Sequence, residues 1–215
     1  MAQGADAREA AKVVRHALEL GVTFIDTAPV YRTEEAVGLG IAGRRHEAFV
    51  STKVSPNQGG PARGGEPTTA AGLAESLEAS LRRLGTDYVD LLHLHGVQPG
   101  ELDHCMQVLV PEMRRQQGAG KVRFLIGSSD TMGTGVNAQL RLKALHHLDV
   151  PWLPSQIEQR EGRIVRQGNQ HDEVDIFAYA TEGSLDATMW QNNERKARFI
   201  AAALSGDTSI RRLED

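Results

Sequence analysis

The segment Gly21-Val-Thr-Phe-Ile-Asp-Thr-Ala-Pro-Val-Tyr31 sets the pattern for the first half of the chain. Its short, apolar and β-branched start, residues 22–26, predicts a buried strand. A helix is predicted before this strand, over residues 8–20, with Gly21 as its stop. Its apolar stripe consists of Val13, Val14, Ala17 and Leu18. A second helix is predicted after the strand, over residues 33–43, with Thr33 as its cap.

The same alternation of strand and helix continues toward residue 127. Further strands are predicted over residues 48–54, 88–95 and 122–126, and helices over residues 69–84 and 101–117. No hairpin signal separates them, so the pattern predicts an α/β fold of parallel βα units. In such sheets functional side chains lie at the carboxyl ends of the strands. The polar residues predicted there are Asp26, Lys53 and His95.

Composition excludes several classes of protein. The 215 residues suit one large domain or two small ones, with 40% apolar and 24% charged residues and a net charge of -4. That charge argues against a strongly basic nucleic-acid binder, and the lone Cys105 excludes an internal disulfide scaffold. No apolar run is long enough for a membrane span, and the first residues lack a signal-peptide pattern, so a cytoplasmic protein with no membrane partner is predicted.

Asp26, Tyr31, Lys53 and His95 together suit the reduction of a carbonyl group. This reaction delivers hydride to carbon and a proton to oxygen. A tyrosine hydroxyl, with a pKa near ~10, is a poor acid–base group at neutral pH unless a nearby cation lowers that pKa. Lys53 is predicted to supply the cation. Asp26 would fix the ammonium by a charge-assisted hydrogen bond, and His95 would orient the substrate oxygen.

Over about residues 8–127 the sequence resembles the aldo-keto reductases. The matching segments are Gly21–Tyr31, Glu34-Glu-Ala-Val-Gly-Leu-Gly40, Phe49-Val-Ser-Thr-Lys53, the stretch 76–95 and Gly120-Lys-Val-Arg-Phe124. The resemblance implies a (β/α)8 TIM-barrel-like fold, an NADPH-dependent oxidoreductase and a small-molecule carbonyl substrate. It also implies that Asp26, Tyr31, Lys53 and His95 are catalytic and that Asp26 and Lys53 contact the cofactor.

The resemblance also predicts an incomplete barrel over residues 1–127. The family's barrel has a strand before the helix at 8–20, and sixth, seventh and eighth strands that hold most of the cofactor. None of these is found in this sequence. Half a barrel leaves sheet edges open, so an oligomer that covers them is expected.

The second half of the chain has a different predicted pattern. Residues 128–139 are predicted as a polar turn, residues 140–147 as a helix and residues 155–167 as a charged helix capped by Ser155. A strand at 174–180 and a long helix at 184–205 follow.

Residues 122–215 resemble the C-terminal part of superfamily-two helicases. The matching segments are residues 124–139, residues 144–152 and Gln159-Arg-Glu-Gly-Arg-Ile-Val-Arg-Gln-Gly-Asn169. The resemblance implies a RecA-like fragment over residues 128–215, in which Arg163 and Arg166 would reach ATP phosphates from a rigid helix. The chain would then be a chimera, with nucleic acid a partner only under this alternative. The sequence has no phosphate loop, so hydrolysis of ATP by this chain alone is not predicted. The structural alternative is a solvated helix face on which Arg160, Arg163 and Arg166 pair with Glu158 and Glu161.

Two further patterns carry no predicted function. Gly38-Leu-Gly-Ile-Ala-Gly43 fits a dinucleotide-binding pattern, but it lies within a helix and before a strand, which is the reverse of that motif. Cys105 and nearby histidines match no zinc spacing, so no metal site is predicted. A chain that lacks activity and folds poorly is the third hypothesis.

Overall fold

A computed structural model of the chain describes residues 6–124, 126, 139–165 and 167–205. The chain divides into two compact units, Met1–Leu125 and Ile126–Asp215. We describe each unit by itself.

The first unit is built on three parallel strands. These are β1 (Phe24–Asp26), β2 (Phe49–Val54) and β3 (Leu91–Leu94). They lie in the order β1-β2-β3, so each strand pairs with its neighbour in sequence. The predicted α/β architecture with parallel strands is therefore confirmed, although the strands described in this unit form an open sheet with two edges and not a closed barrel.

Helices connect these strands. The α-helices are α1 (Ala7–Glu19), α2 (Glu34–Ile41), α3 (Ala70–Leu84), α4 (Leu102–His104) and α5 (Val110–Gly118). A π-helical segment, Cys105–Leu109, joins α4 to α5, and short 3-10 helices span Pro29–Tyr31, Arg45–Glu47 and Pro99–Glu101. The Thr69 side chain caps α3 by accepting a hydrogen bond from Gly72 N at 3.0 Å. Gly85, in the left-handed region, ends the helix as predicted.

The core of this unit lies between the sheet and its helices. The four leucines of α3 predicted to face inward, Leu73, Leu77, Leu81 and Leu84, are all buried there. Two other predictions are wrong in part. Val13 is 71% exposed, because Ala11 and Leu18 form the buried side of α1. Of the strand predicted at 122–126, the described residues 122–124 form no strand, and Val122 makes an isolated parallel bridge to Val89.

Two glycines let α2 lie close to its neighbours. A Cβ at Gly38 would stand 2.6 Å from the carbonyl oxygen of Leu84, and one at Gly40 would stand 2.6 Å from Val14 Cβ. Both distances are far below van der Waals contact. The glycines of this stretch therefore serve helix packing, in keeping with the prediction that they do not form a dinucleotide motif.

A buried carboxylate joins β2 to the segment before β3. Asp90 is 0% exposed and accepts hydrogen bonds from Val50 N at 2.8 Å and Arg45 Nη2 at 2.8 Å. Arg123 Nη1 lies 3.3 Å from its other oxygen. A buried charge needs such partners because water is absent. The sequence analysis did not identify this structural role.

The second unit contains a two-stranded parallel sheet. Its elements are a 3-10 helix (Gln139–Arg141), β4 (Ala144–His147), α6 (Pro154–Glu161), β5 (Asp175–Ala178) and α7 (Asp186–Ser205). The predicted helix at 140–147 is wrong, because its second half, residues 144–147, is strand β4. The predicted helix at 155–167 ends at Glu161, and Leu153, not Ser155, is at its N-cap. The predicted turn at 128–139 lies almost wholly outside the described residues.

Among the described helices, none combines the length and the apolar character that crossing a membrane requires.

Candidate active site

The strands bring three of the four predicted site residues to one edge of the sheet. Asp26 is the last residue of β1, Lys53 lies one residue before the end of β2, and His95 directly follows β3. Pairing of Asp26 with Ser51 and of Lys53 with His93 fixes their relative positions. Because the strands are parallel, their carboxyl ends meet at this edge.

The Lys53 ammonium is held by two oxygens, one from the last residue of β1 and one from the residue that follows it. Its Nζ donates a short hydrogen bond to Asp26 and a second one, of 2.9 Å, to the carbonyl oxygen of Thr27. Ser51 Oγ donates to the other oxygen of the Asp26 carboxylate at 2.9 Å. The Lys53 side chain is 14% exposed and that of Asp26 is 43% exposed, so the ammonium lies below a partly solvated carboxylate.

The pKa of Asp26 reflects two opposing effects. Partial burial raises the pKa of this carboxyl, but the hydrogen bonds from Lys53 and Ser51 and the positive charge of Lys53 outweigh burial. The pKa of Asp26 therefore lies below its ordinary value, and the group remains a carboxylate at neutral pH. It can fix the Lys53 ammonium throughout that range.

Tyr31 and His95 lie together beside this ion pair. The Tyr31 hydroxyl is 3.4 Å from His95 Nε2, and the two rings meet edge to face with centroids 5.5 Å apart. Lys53 Nζ lies 5.0 Å from the centroid of the Tyr31 ring. Tyr31 is 43% exposed, which leaves its hydroxyl open to a ligand. The structure thus brings all four predicted residues into one cluster.

Burial is the main cause that lowers the pKa of His95 from its ordinary 6.5, and the nearby charge of Lys53 lowers it further. We expect proton NMR of the His95 ring to give a midpoint below 6.5. In Lys53→Met the midpoint should move to higher pH. Because the unfolded chain binds this proton more readily, the contribution of His95 to stability is present above its unfolded pKa and is lost as pH falls from there toward the folded pKa. A midpoint at or above the ordinary value would contradict the electrostatics described here.

Two contributors to this cluster were missed by the sequence analysis. Ser51 is fully buried and hydrogen-bonds Asp26, while Thr27 supplies a carbonyl oxygen to Lys53. Ser51 could have been found from the strand register, because it is the cross-strand partner of Asp26. A backbone oxygen leaves no signal in residue type.

One of the two arginines of the alternative hypothesis lies among the described residues. Arg163 belongs to the second unit and follows the end of α6 at Glu161, so the prediction that it lies on a rigid helix is wrong. Arg166 lies outside the described residues. Arg160, predicted to pair with glutamates, has its Nη2 atom 3.0 Å from Asp149 Oδ2.

The donor set of the cluster fits the reacting end of a nicotinamide cofactor and a carbonyl. It has a phenol, an ammonium fixed by a carboxylate, and an imidazole facing the phenol. In addition, Ser55 Oγ and Asn57 Oδ1, just beyond β2, are buried without a hydrogen-bond partner. The Ser55 hydroxyl can donate or accept a hydrogen bond, whereas the Asn57 amide oxygen can only accept one. Across the part of the chain that the structure describes, no three His, Cys, Asp or Glu side chains form a group able to hold a metal ion.

The chain is similar to known proteins in both sequence and structure. The profile described as the aldo/keto reductase family matches residues 2–159, well over half of the chain. L-galactose dehydrogenase of Arabidopsis thaliana is 33% identical over 123 residues, which cover 54% of this chain and 37% of that protein. Aldo-keto reductase yakc [NADP(+)] of Schizosaccharomyces pombe is 28% identical over 181 residues, 80% of this chain and 51% of that protein. The holo form of an aldo-keto reductase from Bacillus halodurans gives a TM-score of 0.49 at 31% identity, over 56% of this chain and 41% of that one.

The extent of these matches bears on both halves of the chain. The chain spans 37% and 51% of the two curated relatives just named, which is about half of their length or less. The family match continues through residues 128–159, which the sequence analysis assigned to a helicase-like fragment. Nothing in the comparisons supports a helicase C-terminal fragment or a chimera.

Proposed function

Because this chain belongs to the aldo/keto reductase family, we propose that it carries the acid–base site of an NADPH-dependent carbonyl reductase. In this proposal Asp26, Tyr31, Lys53 and His95 act on a small-molecule aldehyde or ketone. The observation that carries the proposal is the meeting of these four side chains at the carboxyl ends of three adjacent parallel strands.

Tyr31 is the proposed proton donor. Its hydroxyl is exposed and lies at a hydrogen-bond distance from His95, so a carbonyl oxygen can approach both groups. As hydride reaches the carbonyl carbon, negative charge develops on its oxygen, and the phenol neutralises it by giving up its proton. The Lys53 ammonium, 5.0 Å from the ring centroid, stabilises the negative charge that remains on the phenol oxygen.

The other two residues orient this chemistry. Asp26 stays ionised because its pKa is lowered, and it holds the Lys53 ammonium in place through a hydrogen bond. His95, whose pKa is lowered, is a neutral imidazole at neutral pH. In the tautomer with a proton on Nε2 it donates a hydrogen bond to the substrate oxygen and fixes it beside Tyr31.

NADPH, when bound, supplies the hydride. The proposal takes support from the printed name of the fission-yeast relative, which includes NADP(+). Asp26 and Lys53 are the proposed contacts to the nicotinamide end of the cofactor.

The test of this function is binding of the cofactor. We expect the fluorescence of NADPH to change on titration with the purified chain, and Asp26→Asn to weaken binding because it releases Lys53. Asp6→Asn, at the cap of α1 in the same unit, is the control and should leave cofactor affinity unchanged. Absence of binding at millimolar NADPH, with the chain folded by circular dichroism, would reject the proposal.

A further inference from the structure

A pair of threonine hydroxyls closes the loop that carries Tyr31. Residues 28–32 connect β1 to α2, and Tyr31 ends the short 3-10 helix within this loop. At the base of the loop, Thr27 Oγ1 and Thr33 Oγ1 lie 2.8 Å apart. Thr27 is fully buried, so this contact is shielded from competing water.

Thr27 is itself fixed to the neighbouring strand. Its N–H donates to Ser51 O at 2.9 Å, and its carbonyl oxygen accepts from Lys53 Nζ at 2.9 Å. Thr27 therefore contacts strand β2, the Lys53 ammonium and, through its hydroxyl, Thr33 at the far end of the loop. Thr27 is therefore anchored by its backbone groups, independently of its hydroxyl contact to Thr33.

Thr33 uses its hydroxyl in an unusual way for its position. It occupies the N-cap of α2, where a threonine hydroxyl ordinarily accepts a hydrogen bond from the first turn of the helix. Here its side chain makes no capping hydrogen bond. The hydroxyl contacts Thr27 instead, so it gives up helix stabilisation and holds the loop.

The loop also contains a backbone conformation that needs external support. Arg32, next to Tyr31, has φ 56°, in the left-handed region that a non-glycine residue rarely adopts. Such a conformation is strained and persists where the surrounding structure imposes it. The Arg32 N–H donates to Pro29 O at 3.1 Å, and the threonine pair fixes the ends of the segment around this turn.

We propose that Thr27 and Thr33 are positioning residues, whose paired hydroxyls hold the Tyr31 hydroxyl against His95 and its ring over Lys53. The proposal rests on the proposed function for its catalytic consequence. Neither threonine contacts Tyr31 through its side chain. Both act through the shape of residues 28–32.

The first experiment reads the geometry of the chain directly. With only three tyrosines, selective labelling gives an assignable Tyr31 ring signal. We expect a nuclear Overhauser effect between the Tyr31 and His95 rings in the native chain and in Thr33→Ser, which keeps the hydroxyl. Thr33→Val and Thr27→Val should lose it and shift the Tyr31 ring resonances.

A matched variant separates local positioning from general stability. Thr86 is also half-buried, and its hydroxyl hydrogen-bonds Arg45 Nε and Tyr88 O, both at 3.2 Å, outside the cluster. Thr86→Val should lower the melting temperature without changing the nuclear Overhauser effect between the Tyr31 and His95 rings. If Thr33→Val, shown to be folded by circular dichroism, keeps the native Tyr31 signals, the proposal is overturned.

The second experiment measures carbonyl reduction. Thr33→Val should lower kcat by about 10- to 100-fold with little change in KM, because a displaced donor costs turnover more than binding, and Thr33→Ser should restore kcat. Unchanged kcat in a variant that has lost the ring contact would overturn the positioning role. If the native chain binds no cofactor while the ring contact still depends on Thr33, the proposed function fails and the structural part of this inference stands.

Discussion

Replacing Tyr31 with phenylalanine is expected to lower carbonyl reduction by about 10²- to 10⁴-fold. The substitution removes one oxygen atom, the proposed proton donor, and keeps the ring that stacks edge to face with His95. It also keeps the ring face near Lys53. The measurement is the rate of NADPH oxidation with a small aldehyde, followed by absorbance.

Tyr88→Phe is the matched control for this variant. Tyr88 carries a ring that lies under the Arg45 guanidinium at 4.0 Å, outside the candidate site. We expect its activity to equal that of the native chain. Turnover that survives Tyr31→Phe to within a few-fold would remove Tyr31 from the mechanism, and retained NADPH affinity in that variant would show that the loss lies in the chemical step.

Replacing Asp90 with alanine is expected to destabilise the first unit by about 3–5 kcal/mol. The change leaves the Val50 amide and the Arg45 guanidinium without their buried acceptor. Arg123, whose side chain is 61% exposed, contributes little to this loss because water screens its charge. Urea unfolding followed by circular dichroism measures the change.

Asp87→Ala serves as the control for Asp90→Ala. Asp87 is an exposed acidic residue three positions away, so its removal alters net charge equally. We expect it to change the free energy of unfolding by less than about 0.5 kcal/mol. Equal midpoints for the two variants would show that the Asp90 cluster has no net stabilising role.

The first unit could be predicted well because its signals are local. The leucines of α3 repeat at helical spacing, Gly85 stops the helix, and strand residues 49–54 are rich in β-branched and aromatic side chains. The types and chain positions of Asp26, Lys53 and His95 were also readable, since each lies at the end of a predicted strand. Parallel pairing then brings them together without further information.

What could not be predicted depends on partners distant in sequence. Residues 140–147 satisfy both a helical and an alternating pattern, and pairing of Ala144–His147 with β5 selects the strand. The stacking of His146 on Phe177, with centroids 4.7 Å apart, belongs to that pairing. Likewise, Asp90 reads as an ordinary strand residue until Arg45 and Val50 are placed around it.

The close contacts of Gly38 and Gly40 have a consequence for how the chain folds. Each glycine costs a helix about 1 kcal/mol relative to alanine, and α2 has only eight residues, Glu34–Ile41. A peptide of this length and composition is a random coil in water. Alanine would raise its intrinsic helicity but would collide with Leu84 or Val14. Helix α2 therefore depends on packing against α1 and α3 for its stability, and we expect it to lose its helical structure when either neighbour is removed.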